Sequence, residues 1–174
     1  MINLKAKYDC VLRIETYIVT KTSKDPQQLE MVFDTGAGTT SISEQLALDC
    51  GYKIKESYDY VDGIGGRVKA KYTIIPDLII GGVNLGPVYV HVIKFHKELA
   101  QRTGALLGLN VLSWFKTFMD CIWNDDLCRF TSAVINLEPK FDVNVLTPVD
   151  SFSPFNREQR FGSSFIADGD IYKK

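Results

Sequence analysis

The sequence predicts a mostly-β, closed or barrel-like single lobe with one or two short helices, and three observations carry that prediction. Runs rich in Val, Ile, Tyr and Phe recur along the chain, clusters of turn-forming residues separate them, and helical patterning is confined to two short stretches. The strand-like runs are CVLRIETYIV (10–19), LEMVFD (29–34), KAKYTIIPDLII (69–80) and VYVHVIKF (88–95), with KTSKDPQQ, DGIGG and GGVNLG between them. One helix is expected in SEQLALDCGY, with Ser43 as its N-cap and Gly51 just past its end. GLNVLSWF, after Leu106 and Leu107, suits a second helix of about two turns. FMDCIWNDDLCRFTSA then reads as a hairpin, and a two-residue turn at Asn124-Asp125 would set Cys121 opposite Cys128. Many short strands with so little helix argue against a parallel α/β sheet.

A length of 174 residues suits one domain plus an appendage, and 45% hydrophobic with 24% charged residues is enough to build a core. The domain is expected to span 1–137. From 138 to 174 the character changes to an irregular extension that carries three of the six prolines and isolated phenylalanines at Phe141, Phe152, Phe155, Phe161 and Phe165. Twenty basic and 21 acidic residues leave a net charge of −1, so no basic field exists to neutralise phosphates and no nucleic acid partner is expected. No apolar run approaches the roughly 20 residues that cross a bilayer. The N-terminus alternates apolar and polar residues rather than forming a signal-peptide core. A cytoplasmic protein with no membrane partner is therefore expected. The four cysteines form no C-x-x-C pair and stand apart in sequence from His91 and His96, so neither a metal nor a cofactor is expected.

The segment that carries chemistry is Val32-Phe33-Asp34-Thr35-Gly36-Ala37-Gly38-Thr39-Thr40. An apolar strand runs straight into a carboxylate and then a turn of small residues, where Gly36 lets the backbone approach a ligand closely. Two more elements follow in order. Asp62-Gly63-Ile64-Gly65-Gly66 before RVKAKY reads as a glycine-rich hairpin tip, able to open and to present N–H groups. Ala105-Leu106-Leu107-Gly108-Leu109-Asn110 reads as a buried strand end that leads into a short helix.

Together these motifs resemble those of retropepsin-like aspartic proteases, the retroviral, single-lobe type, over about residues 10–135. The resemblance implies an acid-protease lobe with Asp34 catalytic, supported by Thr35, Gly36 and Ala37. It implies a flap made by Asp62, Gly63, Ile64, Gly65 and Gly66, which with Gly36 and Gly38 binds substrate. Ile64 is expected to hold a water over the scissile bond through its N–H, and Leu106, Leu107 and Gly108 to brace the catalytic loop. Peptide hydrolysis of this kind needs two carboxyl groups that share one proton. The chain has one Asp-Thr-Gly and no internal repeat. The second aspartate must then come from another copy, which implies a two-fold homodimer acting on a peptide or protein substrate. The chain departs from the viral pattern at Gly38 and Leu109, which stand where those enzymes carry an acidic residue and an arginine that pair. A non-catalytic dimerisation or peptide-binding module on the same fold is the alternative expectation.

Overall fold

A computed structural model describes residues 1–8, 11–63, 66–95 and 104–140, with the backbone alone at 58, 59, 62 and 63. The extension expected at 138–174 lies outside the described residues from 141 onward. The strands are β1 (Ile2–Tyr8), β2 (Leu12–Ile18), β3 (Gln27–Phe33), β4 (Ser41–Ser43), β5 (Lys55–Gly63), β6 (Gly66–Ile75), β7 (Leu78–Ile80), β8 (Val83–Asn84), β9 (Val88–Ile93), β10 (Ala105–Leu107), β11 (Phe115–Asn124) and β12 (Arg129–Pro139). Two short helices complete the set, α1 (Glu44–Asp49) after β4 and α2 (Leu109–Leu112) after β10.

The mostly-β expectation with two short helices holds. The strands run in the order β11-β12-β1-β2-β3-β10-β4-β9-β6-β5, and β7 attaches to β2 and β8. Among the described residues this path is open rather than closed by pairing. Each end belongs to a long hairpin, β5–β6 or β11–β12, whose outer strand has a partner on one side only.

Period-two patterning explains which side chains turn inward. In β1, Ile2, Leu4 and Ala6 are buried while Asn3, Lys5 and Lys7 are exposed. In β2 the buried set is Ile14, Thr16 and Ile18, and the hydroxyl of Thr16 donates to the carbonyl of Leu29 at 2.7 Å. Met31, Ile42, Ile75, Leu107 and Ile135 join them in one core, each such side chain contributing about 2 kcal/mol by leaving water.

Helix α1 starts where the sequence placed it: the hydroxyl of Ser43 accepts from the N–H of Leu46 at 3.1 Å. Gly51 follows the helix with φ of 70°. The run KAKYTIIPDLII does not form one strand. It divides into β6 and β7 at Pro76, which has no N–H to give to a ladder. Cys121 and Cys128 do not face each other. Cys121 pairs with Ala133, and Cys128 sits in the hairpin turn with φ of 48°. The Asn124 side chain accepts from the N–H of Leu127 at 2.9 Å, which makes a four-residue turn between Asn124 and Arg129 in place of a two-residue one. Among the described residues no helix is long and apolar enough to cross a membrane.

Candidate active site

Strand β3 ends at Phe33 and delivers Asp34 to the surface, where its side chain is half-buried. Thr35 and Gly36 are exposed, Ala37 is half-buried and Gly38 is exposed. The loop nevertheless has a fixed shape. The N–H of Gly36 donates to Asp34 Oδ1 at 2.9 Å, and a Cβ at Gly36 would stand 3.2 Å from that same oxygen. A side chain there would crowd the carboxylate it now faces through a backbone donor.

The brace comes from 70 residues further along the chain. Strand β10 lies between β3 and β4, parallel to β3 (Leu106 beside Val32, Leu107 beside Phe33) and antiparallel to β4 (Leu106 beside Ser41). The N–H of Asp34 donates to the carbonyl of Leu107 at 3.1 Å. Beyond β10, the N–H groups of Leu109 and Asn110 donate to the carbonyls of Ala37 and Gly38 at 2.8 and 3.1 Å. Gly108 is seated on the loop so closely that a Cβ would come within 2.6 Å of Thr39 C, 2.7 Å of Thr40 N and 2.8 Å of Ala37 O. Only a glycine fits.

Two residues outside the expected set hold this junction together. Asn110 accepts through Oδ1 from both the N–H (2.7 Å) and the hydroxyl (2.8 Å) of Thr40, and its Nδ2 donates to the carbonyl of Tyr89 at 2.9 Å. The hydroxyl of Thr40, fully buried, accepts in turn from the N–H of Gly108 at 3.0 Å. A signal existed: Asn110 is the one polar side chain in LLGLNVL, and an amide drawn into an apolar run needs partners. At the positions of the viral ion pair, Gly38 and Leu109 are joined to the junction by backbone bonds, and the Leu109 side chain is exposed.

Of the glycine-rich stretch, Asp62 and Gly63 end β5 and Gly66 begins β6. Asp62 pairs with Arg67 and Gly63 with Gly66, which has φ of 97°. Ile64 and Gly65 lie outside the described residues. The structure thus brings Asp34, Thr35, Gly36, Ala37 and Gly38 together with Leu106, Leu107 and Gly108. Among the described residues no three His, Cys, Asp or Glu side chains group as a metal-ligand set.

Comparison with known proteins adds three findings. Residues 20–114, which include the loop and its brace, match the family model described as "gag-polyprotein putative aspartyl protease". A retropepsin-like aspartic protease from Rickettsia conorii has a similar structure, with a TM-score of 0.50 at 17% identity, covering 76% of this chain and 89% of that one. The EIAV protease complexed with the inhibitor HBY-793 gives a TM-score of 0.41 at 20% identity, covering 61% and 90% of the two chains. No curated protein matches significantly.

Proposed function

The chain belongs to the gag-polyprotein aspartyl protease family, and from that premise we propose that it is an aspartic endopeptidase whose site is completed by Asp34 of a second copy. One observation carries the reading. Asp34 stands half-exposed on a loop that is rigidly braced from behind by Leu107, Gly108 and Asn110, while its front, at Thr35 and Gly36, is open. A braced carboxylate on a loop that is exposed at Thr35 and Gly36 among the described residues suits a site shared across a two-fold axis.

In this mechanism two Asp34 carboxyls about 3 Å apart share one proton. The ionised one takes a proton from a water as that water attacks the peptide carbonyl. The protonated one donates to the carbonyl oxygen. Collapse of the tetrahedral intermediate returns a proton to the leaving nitrogen, and the pair regains its starting state. Thr35 links the two loops near the axis, and the backbone of Gly36 and Gly38 receives the peptide. The β5–β6 hairpin serves as the flap, with Ile64 and Gly65 at its tip and Asp62, Gly63 and Gly66 at its base. The protease domain is residues 1–137, working in the cytoplasm, and the extension beyond the end of β12 at Pro139 is dispensable for the fold.

Incubation of the full chain with a peptide library tests the reading. Cleavage is expected from the native protein, and Asp34→Asn is expected to remove it without change in fold or assembly. Cleavage that survives Asp34→Asn would take the catalytic role from Asp34. A native dimer that binds peptides without cutting them would make the chain a binding module on the same fold.

A further inference from the structure

Strands β1 and β2 begin as an antiparallel pair and then part. Lys7 lies opposite Arg13 and Tyr8 opposite Leu12, and the shared ladder ends there. From Ile2 to Lys7, β1 pairs with β12, while β2 takes β7 as its neighbour at Thr16, Tyr17 and Ile18. The fork leaves a groove of about 350 Å³, with Asn3 and Lys5 on one wall, Glu15 and Tyr17 on the other and Gly81-Gly82 at its end. A Cβ at Gly81 would collide with Cγ2 of Ile2, so the β7–β8 turn sits directly against β1. Gly82, with φ of 80°, has open space where a Cβ would point, and its backbone can meet a ligand closely. The groove stands apart from the catalytic loop. Arg13, at the fork, is beside Val32, and Tyr17 lies four residues further, about 13 Å along the strand.

Had the β1–β2 ladder continued in its register, Lys5 would face Glu15 and Asn3 would face Tyr17. The fork keeps the two charges apart. Among the described residues Lys5 makes neither an ion pair nor a hydrogen bond. The other two cations of this face are answered, since Lys7 and Arg13 both reach Glu30, at 3.4 and 3.3 Å. Glu15 meets no cation among the described residues. The Tyr17 hydroxyl donates to its Oε1 and Gln28 Nε2 donates to its Oε2, both at 2.7 Å. Two neutral donors hold the carboxylate in place and leave its charge unbalanced. A free ammonium and a fixed carboxylate on opposite walls of one groove match a small molecule that carries both charges.

We propose that the fork binds a small zwitterion of the amino-acid type, a free amino acid or a dipeptide, with its carboxylate on Lys5, its ammonium on Glu15 and its side chain against the ring of Tyr17. The groove is at the lower end of the range for ligand pockets, about 300 to 1,000 Å³, which suits such a molecule better than a long peptide. A simple anion would satisfy Lys5 alone, and a simple cation Glu15 alone. A ligand with both ends free answers both. The site rests on no part of the protease reading, because none of its groups belongs to the loop of Asp34.

Titration of the isotope-labelled full chain with phenylalanine and with Gly-Phe, followed by amide NMR shifts, tests this. Saturable binding of one or both is expected, with a dissociation constant on the order of 1 mM and shifts at Lys5, Glu15 and Gly82. Saturation by phenylalanine alone assigns the site to free amino acids, and by Gly-Phe alone to dipeptides. The N-acetyl and C-amide forms lack one charge and should bind roughly fivefold more weakly. Lys5→Gln and Glu15→Gln, at exposed positions, should weaken the unblocked ligand to a similar degree and leave the circular dichroism spectrum unchanged. The exchange Lys5→Glu/Glu15→Lys returns one charge of each sign to the groove and should bind more tightly than Lys5→Glu alone. Asp34→Asn should bind as the native chain does, whether or not the native chain cleaves peptides. An absence of saturable shifts with either ligand, blocked forms that bind as well as unblocked ones, or a Lys5→Gln chain that binds like the native one would each overturn the site. Shifts confined to Gly36 and Gly38 would overturn it as well, and would place the ligand at the candidate active site instead.

Discussion

The loop around Asp34 and the β11–β12 hairpin differ in how much of their own structure they satisfy. Residues 34–40 are held by hydrogen bonds to 107–110, with Gly108 packed against backbone atoms and Thr40 fully buried. From Lys116 to Phe130, by contrast, aromatic and aliphatic side chains stand about half in water on a hairpin whose outer strand has one neighbour among the described residues. Among the described residues the loop is held from behind by backbone and side-chain bonds, and the hairpin has its neighbours on one side. The difference teaches where each kind of substitution should register. Changes in the junction should cost the stability of the chain, whereas changes at the exposed hairpin positions should leave it nearly as stable.

Gly108→Val should break this contrast most severely if it is wrong. Its Cβ would overlap three backbone atoms that cannot rotate away, and a loss of about 3 kcal/mol is expected. Denaturant unfolding of the chain, repeated over a range of protein concentrations, measures it. Asn110→Ala should follow at about 2 kcal/mol, because it removes the acceptor of the buried N–H and hydroxyl of Thr40. Unfolding midpoints like the native chain's in both variants would mean that the junction is not the rigid part.

Tyr52 sharpens the comparison from the body of the fold. It is buried and donates to the carbonyl of Val19 at 2.8 Å, so Tyr52→Phe should cost about 1 kcal/mol near neutral pH. Burial, helped by Cys50 and Asp77, pushes its hydroxyl well above the usual tyrosine value. The folded state therefore holds this proton after the unfolded chain has begun to lose it at pH about 10. Stability from the neutral phenol is fully present below that pH and is lost as pH rises toward the folded value. Tyr52→Phe should flatten that alkaline decline, and urea unfolding from pH 8 upward would reveal an unchanged slope if burial is not the cause. On the hairpin, Trp123→Ala removes one ring of the edge-on pair with Phe130, and its effect on single-chain stability should be only about 0.5 kcal/mol.

What could be read from the sequence was the chemistry that is local. Asp34-Thr35-Gly36, the Ser43 cap and the glycine of Leu107-Gly108 each need a residue type at a fixed offset, and each sits where that offset puts it. The Thr40–Asn110 link escaped because it joins residues 70 apart, although a lone amide in an apolar run marked one end of it. β1 went unrecognised as a strand despite its alternation, since its burial depends on β12 at the far end of the domain. The hairpin turn was misjudged by two residues because the Asn124 side chain, not the backbone alone, shapes it. The exposed face of β11 looked like any strand on paper. Exposure is a property of the assembled sheet, and residue order alone does not reveal it.

The central claim is that one working site takes an Asp34 from each of two chains, and a mixing experiment measures it directly. Native chain at fixed concentration is titrated with Asp34→Asn chain, and the rate of peptide cleavage is followed after exchange. Mixed pairs hold one carboxyl and one amide, so cleavage per native chain should fall in step with the native fraction of the mixture. A rate that stays constant as the inactive chain is added in excess would mean that each chain cleaves alone, and the shared site would be wrong.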